Sequence, residues 1–275
     1  MTRGRTALTR KSIELPNGVK LEYVEQGDPS GIPVLFLHGV TDSWHSFEPV
    51  LPYVPASIHA FALSQRGHGD ADRPAAGYGP HEFAADVAAF MNTLTLGSAV
   101  IAGHSMSTSV AQRLALDYPG RTQGLVLMGS FVAGWRSAPE VVKLWKSAVS
   151  TLADPIDPDF VREFQESTLA QPIPSAFLDT VIQESLKVPA RVWRAVFHAF
   201  LEADFSEELR KIVAPTLIVW GDQDALIPRH LTEILAAMIP NSRLVVHPGA
   251  GHAFHWEEPE HFAADLVAFT ERIVR

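Results

Sequence analysis

Three residue types that cooperate in nucleophilic catalysis follow separate apolar runs of the chain. Ser105 lies in VIAGHSMSTS, where a predicted strand must turn sharply into a helix, and such a turn lifts a serine hydroxyl clear of the sheet. His252 lies in a glycine-rich loop after the last predicted strand, and Asp222 and Asp224 follow the strand before it. A serine becomes a nucleophile when a base removes its proton, and a carboxylate must orient that base. The chain order serine, aspartate, histidine therefore predicts acyl transfer by an activated serine.

The residues next to these candidates support the same chemistry. A tight turn at Ser105 requires small flanking residues, and Gly103 meets this requirement. The backbone N–H of Met106 stands at the start of the following helix, where the peptide dipoles favour a developing negative charge. We therefore expect Met106 to donate a hydrogen bond to an oxyanion. His255 is a second, weaker candidate for the base in the loop of His252.

A mostly parallel sheet is the element that must position these residues. Short apolar runs alternate with longer amphipathic stretches, which is typical of βαβ units. Residues 19–27 alternate as an early antiparallel strand does, and six later runs are interpreted as strands buried on both faces. The candidates follow the carboxyl ends of these strands, where open α/β sheets place their sites. The six runs are PVLFLHG, IHAFALS, SAVIAGHS, GLVLMGS, PTLIVWG and SRLVVHPG, and helices are predicted over GPHEFAADVAAFMNTL, TSVAQRLALDYP and EPEHFAADLVAFTERIV.

The alternation of strands and helices stops between residues 131 and 210. Helical stretches rich in aromatic side chains replace the strands there, so we predict a helical cap over 131–210 inserted into a core formed by 1–130 and 211–275. Pockets form preferentially where two lobes meet, and the inner face of such a cap would line an apolar pocket. The candidate substrate-binding residues on this face are Trp135, Trp145 and Trp193.

Composition and charge narrow the classes of function. A chain of 275 residues with 47% hydrophobic residues is expected to form one large domain, or one domain with an inserted lobe. A formal net charge of -9 argues against nucleic acid or an anionic membrane as a partner. The chain has no cysteine, which excludes disulfides, thiolate metal sites and cysteine nucleophiles. No metal or cofactor is implied, and with neither a signal-peptide core nor a membrane span recognised, a cytoplasmic protein is expected.

Five motifs in this order resemble the α/β-hydrolase family over nearly the whole chain. The resemblance implies an α/β-hydrolase fold, with a mostly parallel central sheet flanked by helices and a helical cap inserted after the sixth strand. It selects Asp224 over Asp222 as the acid that orients the base. The motifs are FLHGVTDSW at 36–44, SQRGHGDADRP at 64–74, GHSMS at 103–107, WGDQDALIP at 220–228 and GAGHAFHWEEP at 249–259. The roles implied are nucleophile for Ser105, general base for His252, orienting acid for Asp224, and oxyanion hole for the N–H groups of Val40 and Met106.

The chain departs from the family pattern at a few positions. Ser107 replaces the glycine that usually ends the motif GHSMS, the elbow that carries Ser105. We expect its hydroxyl to be accommodated without a role of its own, and a hydrogen bond near the nucleophile is the alternative. Ser64 and Ala71 replace the usual aspartate and serine of the second motif, and no loss of chemistry is expected from them. His38 and His104 are expected to brace loops rather than to take part in catalysis.

The nucleophile narrows the expected reaction. A serine at the elbow disfavours epoxide opening and dehalogenation, which use an aspartate there, and favours a serine hydrolase that cleaves a small carboxylic ester or lactone. The motif spacing resembles the branch of enol-lactonases, acyl-homoserine lactonases and small-molecule esterases. The alternatives are a cofactor-free perhydrolase or haloperoxidase, a small-molecule receptor, and a C–C bond hydrolase. A C–C bond hydrolase of this kind would need cationic side chains in its pocket to bind a dienoate. The oligomeric state stays open. The candidate cations are Arg136, Arg191 and Arg194.

Overall fold

A computed structural model describes residues 8–273, which form one eight-stranded sheet flanked by helices. The strand order is β1-β2-β4-β3-β5-β6-β7-β8. β2 pairs antiparallel with β1 and β4, and all the other neighbours are parallel. The strands are β1 Thr9–Glu14, β2 Lys20–Gln26, β3 Ile32–Leu37, β4 Ile58–Ser64, β5 Ala99–His104, β6 Thr122–Met128, β7 Thr216–Gly221 and β8 Ser242–His247. The predicted fold class is confirmed.

Nine α-helices lie in the described part of the chain. α1, α2 and α9 correspond to the three helices expected from the sequence, whereas α7 was not among them. Between β6 and β7, α3 to α6 and three short 3-10 helices replace the strands. The helices are α1 Pro80–Thr93, α2 Met106–Asp117, α3 Pro139–Ser147, α4 Pro158–Glu166, α5 Ser175–Leu186, α6 Ala190–Glu202, α7 Arg229–Met238, α8 Phe254–Glu257 and α9 Pro259–Ile273.

The two faces of the sheet carry separate apolar cores, because successive side chains of a strand point to opposite faces. In β3, Leu35 and Leu37 pack on the side of α1 and α2, while Val34 and Phe36 pack on the side of α9. All four side chains are buried. This burial on both faces is what a central parallel strand requires, and it fixes the carboxyl end of β3 close to that of β5.

The structure differs from the sequence-based expectation at both edges of the sheet. β1 was not predicted, because most of its side chains are exposed and no apolar alternation marks it. β8 was expected to be buried on both faces, and this was wrong, since most of its residues are only partly buried. β8 pairs with β7 alone and therefore has a neighbour strand on one side only. Within residues 8–273, no helix combines the length and the apolar character needed to cross a membrane.

Candidate active site

Ser105 lies at the turn between β5 and α2. Its backbone has a φ of 50° and a ψ of -113°, and non-glycine residues rarely adopt a positive φ. The Ser105 N–H donates to the carbonyl of Met128 in β6 at 2.8 Å, which ties the turn to the neighbouring strand. A Cβ at Gly103 would lie 2.3 Å from the carbonyl oxygen of Ser107, so the strand and the helix approach too closely there for a larger residue.

His252 lies in the loop between β8 and α8, with its side chain buried. Its Nδ1 lies 2.8 Å from Oδ2 of Asp224, and that carboxylate side chain is fully buried. The N–H groups of Leu226 and Ile227 donate to the other Asp224 oxygen at 2.8 and 2.9 Å. With its proton on Nδ1, the imidazole presents a free lone pair at Nε2, and Nε2 has no partner among the described residues.

The two rival residues lie apart from this pair. Asp222 is exposed and accepts the N–H of Gly249 at 2.7 Å, and hydrogen bonds from Gln223 and Gly249 lower its pKa. Nε2 of His255 lies 3.1 Å from the hydroxyl of Ser46, and burial lowers the pKa of His255 to about 3. His255 is therefore a neutral side chain inside the protein, and its hydrogen bond is to a hydroxyl rather than to a carboxylate.

One cavity is lined by candidate residues that follow three different strands. It contains about 480 Å³ of space not filled by atoms, part of it open to solvent, and most of its wall is apolar. Ser105, His252 and Val40 all line it. The structure shows no hydrogen bond from the Val40 N–H within residues 8–273, and Met106, which follows Ser105, is fully buried and does not itself line the cavity. The apolar lining residues are Val40, Phe131, Trp135, Val141, Leu144, Phe164, Phe197, Leu226 and Trp256.

Of the three tryptophans considered for substrate binding, Trp135 alone lines this cavity. Trp193 is fully buried and packs against Phe164, with ring centroids 5.2 Å apart. Trp145 packs against His198, with ring centroids 6.2 Å apart. Both therefore support the wall or the neighbouring helices instead of facing the cavity.

The arginines considered for a dienoate carboxylate do not line the cavity. Arg136 is 70% exposed and pairs with Glu202, while Arg191 donates to the carbonyls of Arg73 and Pro74. The guanidinium of Arg194 donates to the backbone carbonyl of Leu152. The cavity wall thus offers a dienoate none of these three cations.

A sequence profile described as alpha/beta hydrolase fold matches residues 32–259. The chain belongs to the α/β-hydrolase family. It is 28% identical to a non-heme haloperoxidase of Rhodococcus erythropolis, over 94% of this chain and 98% of that protein. It is 30% identical to a pimeloyl-[acyl-carrier protein] methyl ester esterase of Neisseria meningitidis, over 96% of this chain and 98% of that protein. An esterase from Exiguobacterium antarcticum has the same fold, with a TM-score of 0.85 at 24% identity, covering 96% of this chain and 100% of that one.

In this α/β hydrolase, the hydroxyl of Ser107 makes two buried hydrogen bonds next to the elbow. It donates to the carbonyl of His38 and accepts a hydrogen bond from Nε2 of Gln65 at 2.8 Å. The favoured expectation, an accommodation without a role, was therefore incomplete, and the alternative of a hydrogen bond near the nucleophile describes this hydroxyl better. Since His38 and Gly39 immediately precede Val40, the hydroxyl connects the elbow helix to the loop that presents the Val40 N–H. The sequence alone carries no signal for a bond between residues 69 positions apart.

His38 and His104 brace the loops around the cavity. Nδ1 of His38 donates to the carbonyl of Gly39 at 2.7 Å, and its Nε2 accepts the Gln65 N–H at 3.0 Å. Nε2 of His104 donates to the carbonyl of His252 at 3.2 Å. Burial lowers the pKa of both imidazoles well below the usual value, so both are neutral. Each ring thus holds the backbone of a loop that carries a candidate residue.

Asp42 is a polar residue of the cavity that sequence reasoning missed. It is 4% exposed and accepts hydrogen bonds from Nε2 of Gln165 at 3.1 Å and from the hydroxyl of Ser46 at 3.4 Å. Burial raises the pKa of its carboxyl to about 7. Its position in the first motif, four residues after His38, was the available signal. Gln165 comes from α4, and nothing in its local sequence connects it to the strand ends.

Proposed function

We propose that this α/β hydrolase cleaves a small carboxylic ester or lactone through an acyl-enzyme formed on Ser105. The observation that supports this most directly is the state of His252. Its Nδ1 contacts the buried carboxylate of Asp224, and its Nε2 has no partner among the described residues. His252 and Ser105 also share the wall of one cavity. An imidazole held in this way has a basic nitrogen available for the proton of a serine hydroxyl.

In the proposed reaction, Nε2 of His252 takes the proton of Ser105 Oγ as that oxygen attacks the acyl carbon. The oxyanion of the tetrahedral intermediate accepts hydrogen bonds from the N–H groups of Val40 and Met106. The bond to the leaving oxygen then breaks, His252 returns the proton to that oxygen, and the acyl group remains on Ser105. Water deprotonated by His252 attacks this ester, which releases the carboxylic acid and restores the serine.

The helical segment 131–210 acts in this proposal as a cap that selects the acyl group. Trp135, Leu144 and Phe197 of this segment line the cavity opposite the strand ends. An apolar wall of this kind favours an uncharged acyl chain or ring and excludes bulk water from the oxyanion. The substrate is therefore a small ester or lactone with an apolar acyl part.

The test is acid release, followed by pH-stat, from a medium-chain lactone and from a linear ester of matched acyl length. Ser105→Ala is the blank, and a fluorophosphonate probe reports a reactive serine in the wild-type chain. Faster opening of the lactone identifies a lactonase, and faster cleavage of the linear ester identifies an esterase. Binding of both compounds without acid release, and without labelling of Ser105, would contradict hydrolysis and would favour a receptor.

Cofactor-free perhydrolysis is a second candidate, favoured by the similarity to the non-heme haloperoxidase of Rhodococcus erythropolis. Here hydrogen peroxide replaces water in the attack on the acyl-enzyme, and the products are a peracid and free Ser105. The peracid formed from acetate and hydrogen peroxide would oxidise bromide, and monochlorodimedone reports the hypobromite. Bromination that requires acetate and disappears in Ser105→Ala supports this activity, whereas bromination that persists in Ser105→Ala excludes the serine route.

A further inference from the structure

A second cluster of ionisable side chains lies outside the cavity, where the end of β8 meets the start of α9. His247 is the last residue of β8, Glu258 precedes α9, and His261 and Asp265 belong to α9. Nδ1 of His247 lies 3.1 Å from Oε2 of Glu258, and Nε2 lies 2.9 Å from Oδ2 of Asp265. Nδ1 of His261 lies 3.2 Å from the same Glu258 oxygen. None of the four residues lines the cavity of Ser105.

The two carboxylate partners of His247 make this cluster unusual. Its side chain is completely buried, and a carboxylate oxygen faces each of its two ring nitrogens. A neutral imidazole has a single N–H and can donate to only one of two carboxylates. The other nitrogen then directs its lone pair at a carboxylate oxygen, which is repulsive unless a cation or a proton lies between them. A metal ion bound by this nitrogen and the facing carboxylate would remove that repulsion.

The position of Glu258 indicates which nitrogen of each histidine is left to bind a metal ion. The two imidazole rings are stacked, with centroids 4.0 Å apart, and both direct Nδ1 at Glu258. A carboxylate that accepts Nδ1–H from a histidine fixes the tautomer that ligates metal through Nε2, and metal-binding histidines in proteins are commonly held in this way. Nε2 of His247, Nε2 of His261 and the carboxylate of Asp265 then form one donor set.

The spacing of these donors suits a single ion. One ligand atom from each of His247, His261 and Asp265 can be chosen so that all lie within 4.8 Å of one another. Ligands of a tetrahedral zinc ion lie roughly 3.4 Å apart, and imidazoles bind metal in the plane of the ring, so the set closes when the His261 ring rotates out of its stack on His247 toward the ion. His261 and Asp265 can move because they are exposed and partly exposed side chains one turn apart on α9.

We propose that His247, His261 and Asp265 bind a divalent transition-metal ion of the zinc class, with Glu258 holding the two imidazoles. Two imidazoles and one carboxylate are a donor set that suits first-row transition metals better than calcium or magnesium. The bound ion neutralises the two carboxylates and links β8 to α9. Because His247 begins the loop that leads to His252, the ion also holds the base of that loop.

The test is titration of the metal-free full-length chain with zinc, followed by isothermal calorimetry, with the thermal midpoint as a second readout. We expect one zinc ion per chain and a rise in Tm of about 5 °C at saturating zinc. His261→Ala should lose this binding and the rise in Tm. Glu258→Gln should raise the zinc Kd by about 10- to 100-fold.

Two matched variants separate this site from other zinc-binding groups. His81 is an exposed histidine that contacts one carboxylate, Asp117, at 3.0 Å, and His81→Ala should bind zinc as the wild type does. His252→Ala removes the imidazole of the cavity and should also keep one equivalent. Wild-type chain that binds no zinc would overturn the proposal, as would zinc binding that survives in folded His261→Ala or is lost in His252→Ala.

Discussion

At the scale of single residues, the hydroxyl of Ser107 is the feature that sets this elbow apart. It holds the carbonyl of His38, and the N–H of Val40 lies two residues further along the same loop. For Ser107→Ala we expect kcat to fall about fivefold, because one buried hydrogen bond contributes on the order of 1 kcal/mol to the position of this loop. The comparison variant is Ser109→Ala, which removes a hydroxyl from the same helix that donates to Ala133 instead. It should lose stability and keep kcat, and an equal fall of kcat in both variants would contradict a specific link to the loop.

The two aspartates after β7 give a second residue-scale prediction. Asp224 contacts His252, whereas Asp222 is exposed and bonds to the loop backbone. Asp224→Asn should lower kcat by about 10³-fold or more, because an amide at this position favours the wrong imidazole tautomer. Asp222→Asn should retain kcat within about twofold, with circular dichroism confirming that both variants fold. The reverse result would assign the orienting role to Asp222.

Some of these contacts could be predicted from the sequence, and others could not. The meeting of His252 with Asp224 follows from strand order, because adjacent parallel strands end at the same edge of the sheet. The bond of Ser107 to His38 and the burial of Asp42 depend on how loops pack above that edge. Loop packing leaves no periodicity in a sequence, so these two features became visible only in three dimensions.

At the scale of elements, the contact between β5 and α2 leaves no room for a side chain at Gly103. A Cβ at Gly103 would lie 2.3 Å from the carbonyl oxygen of Ser107, and this oxygen belongs to the backbone and cannot rotate away. Gly103→Ala should therefore lower the free energy of unfolding by about 3 kcal/mol and displace the helix that carries the Met106 N–H. Gly97→Ala is the control, because no atom lies within 4 Å of a Cβ there. Chemical denaturation of the two variants measures the difference, and equal stabilities would show that α2 can shift freely.

The same scale explains which elements the sequence predicted. The central strands and α1, α2 and α9 each bury a periodic apolar pattern, and these were recognised. β1 is an edge strand of exposed residues such as Arg10 and Lys11, held by backbone pairing to β2 and by ion pairs. β1 pairs with residues 20–26 of β2, and the sequence of β1 itself does not indicate that this neighbour lies beside it.

At the scale of the whole molecule, Asp42 links stability to pH. Burial raises its pKa from 3.8 to about 7, so the folded chain holds a proton that the unfolded chain has already released. Its contribution to stability is therefore lost as the pH rises from about 4 to about 7. Asp42→Asn keeps an acceptor for Gln165 and carries no charge. As the pH rises from about 5 to about 8, the free energy of unfolding of Asp42→Asn should increase by roughly 2 to 3 kcal/mol relative to that of the wild type.

The control for this pH dependence is Asp222→Asn. The pKa of Asp222 is lowered by its hydrogen bonds, so this carboxylate is ionised in both the folded and the unfolded chain above about pH 5. Denaturation of the two variants and the wild type at several pH values gives the comparison. A constant difference between Asp42→Asn and the wild type over this range would mean that Asp42 stays ionised in the folded protein.

The position of the helical segment 131–210 between two neighbouring strands has an evolutionary consequence. β6 and β7 pair directly, so the chain leaves the sheet and returns to it at adjacent points. The entropic cost of closing an inserted segment grows slowly with its length. The segment can therefore be lengthened, shortened or replaced without rearranging any strand. Ser105, Asp224 and His252 all lie outside the segment, whereas Trp135 and Phe197 of the cavity wall lie inside it. Descendants of this chain can thus exchange, as one unit, the part of the cavity wall that this segment supplies, and inherit the strand-end residues unchanged.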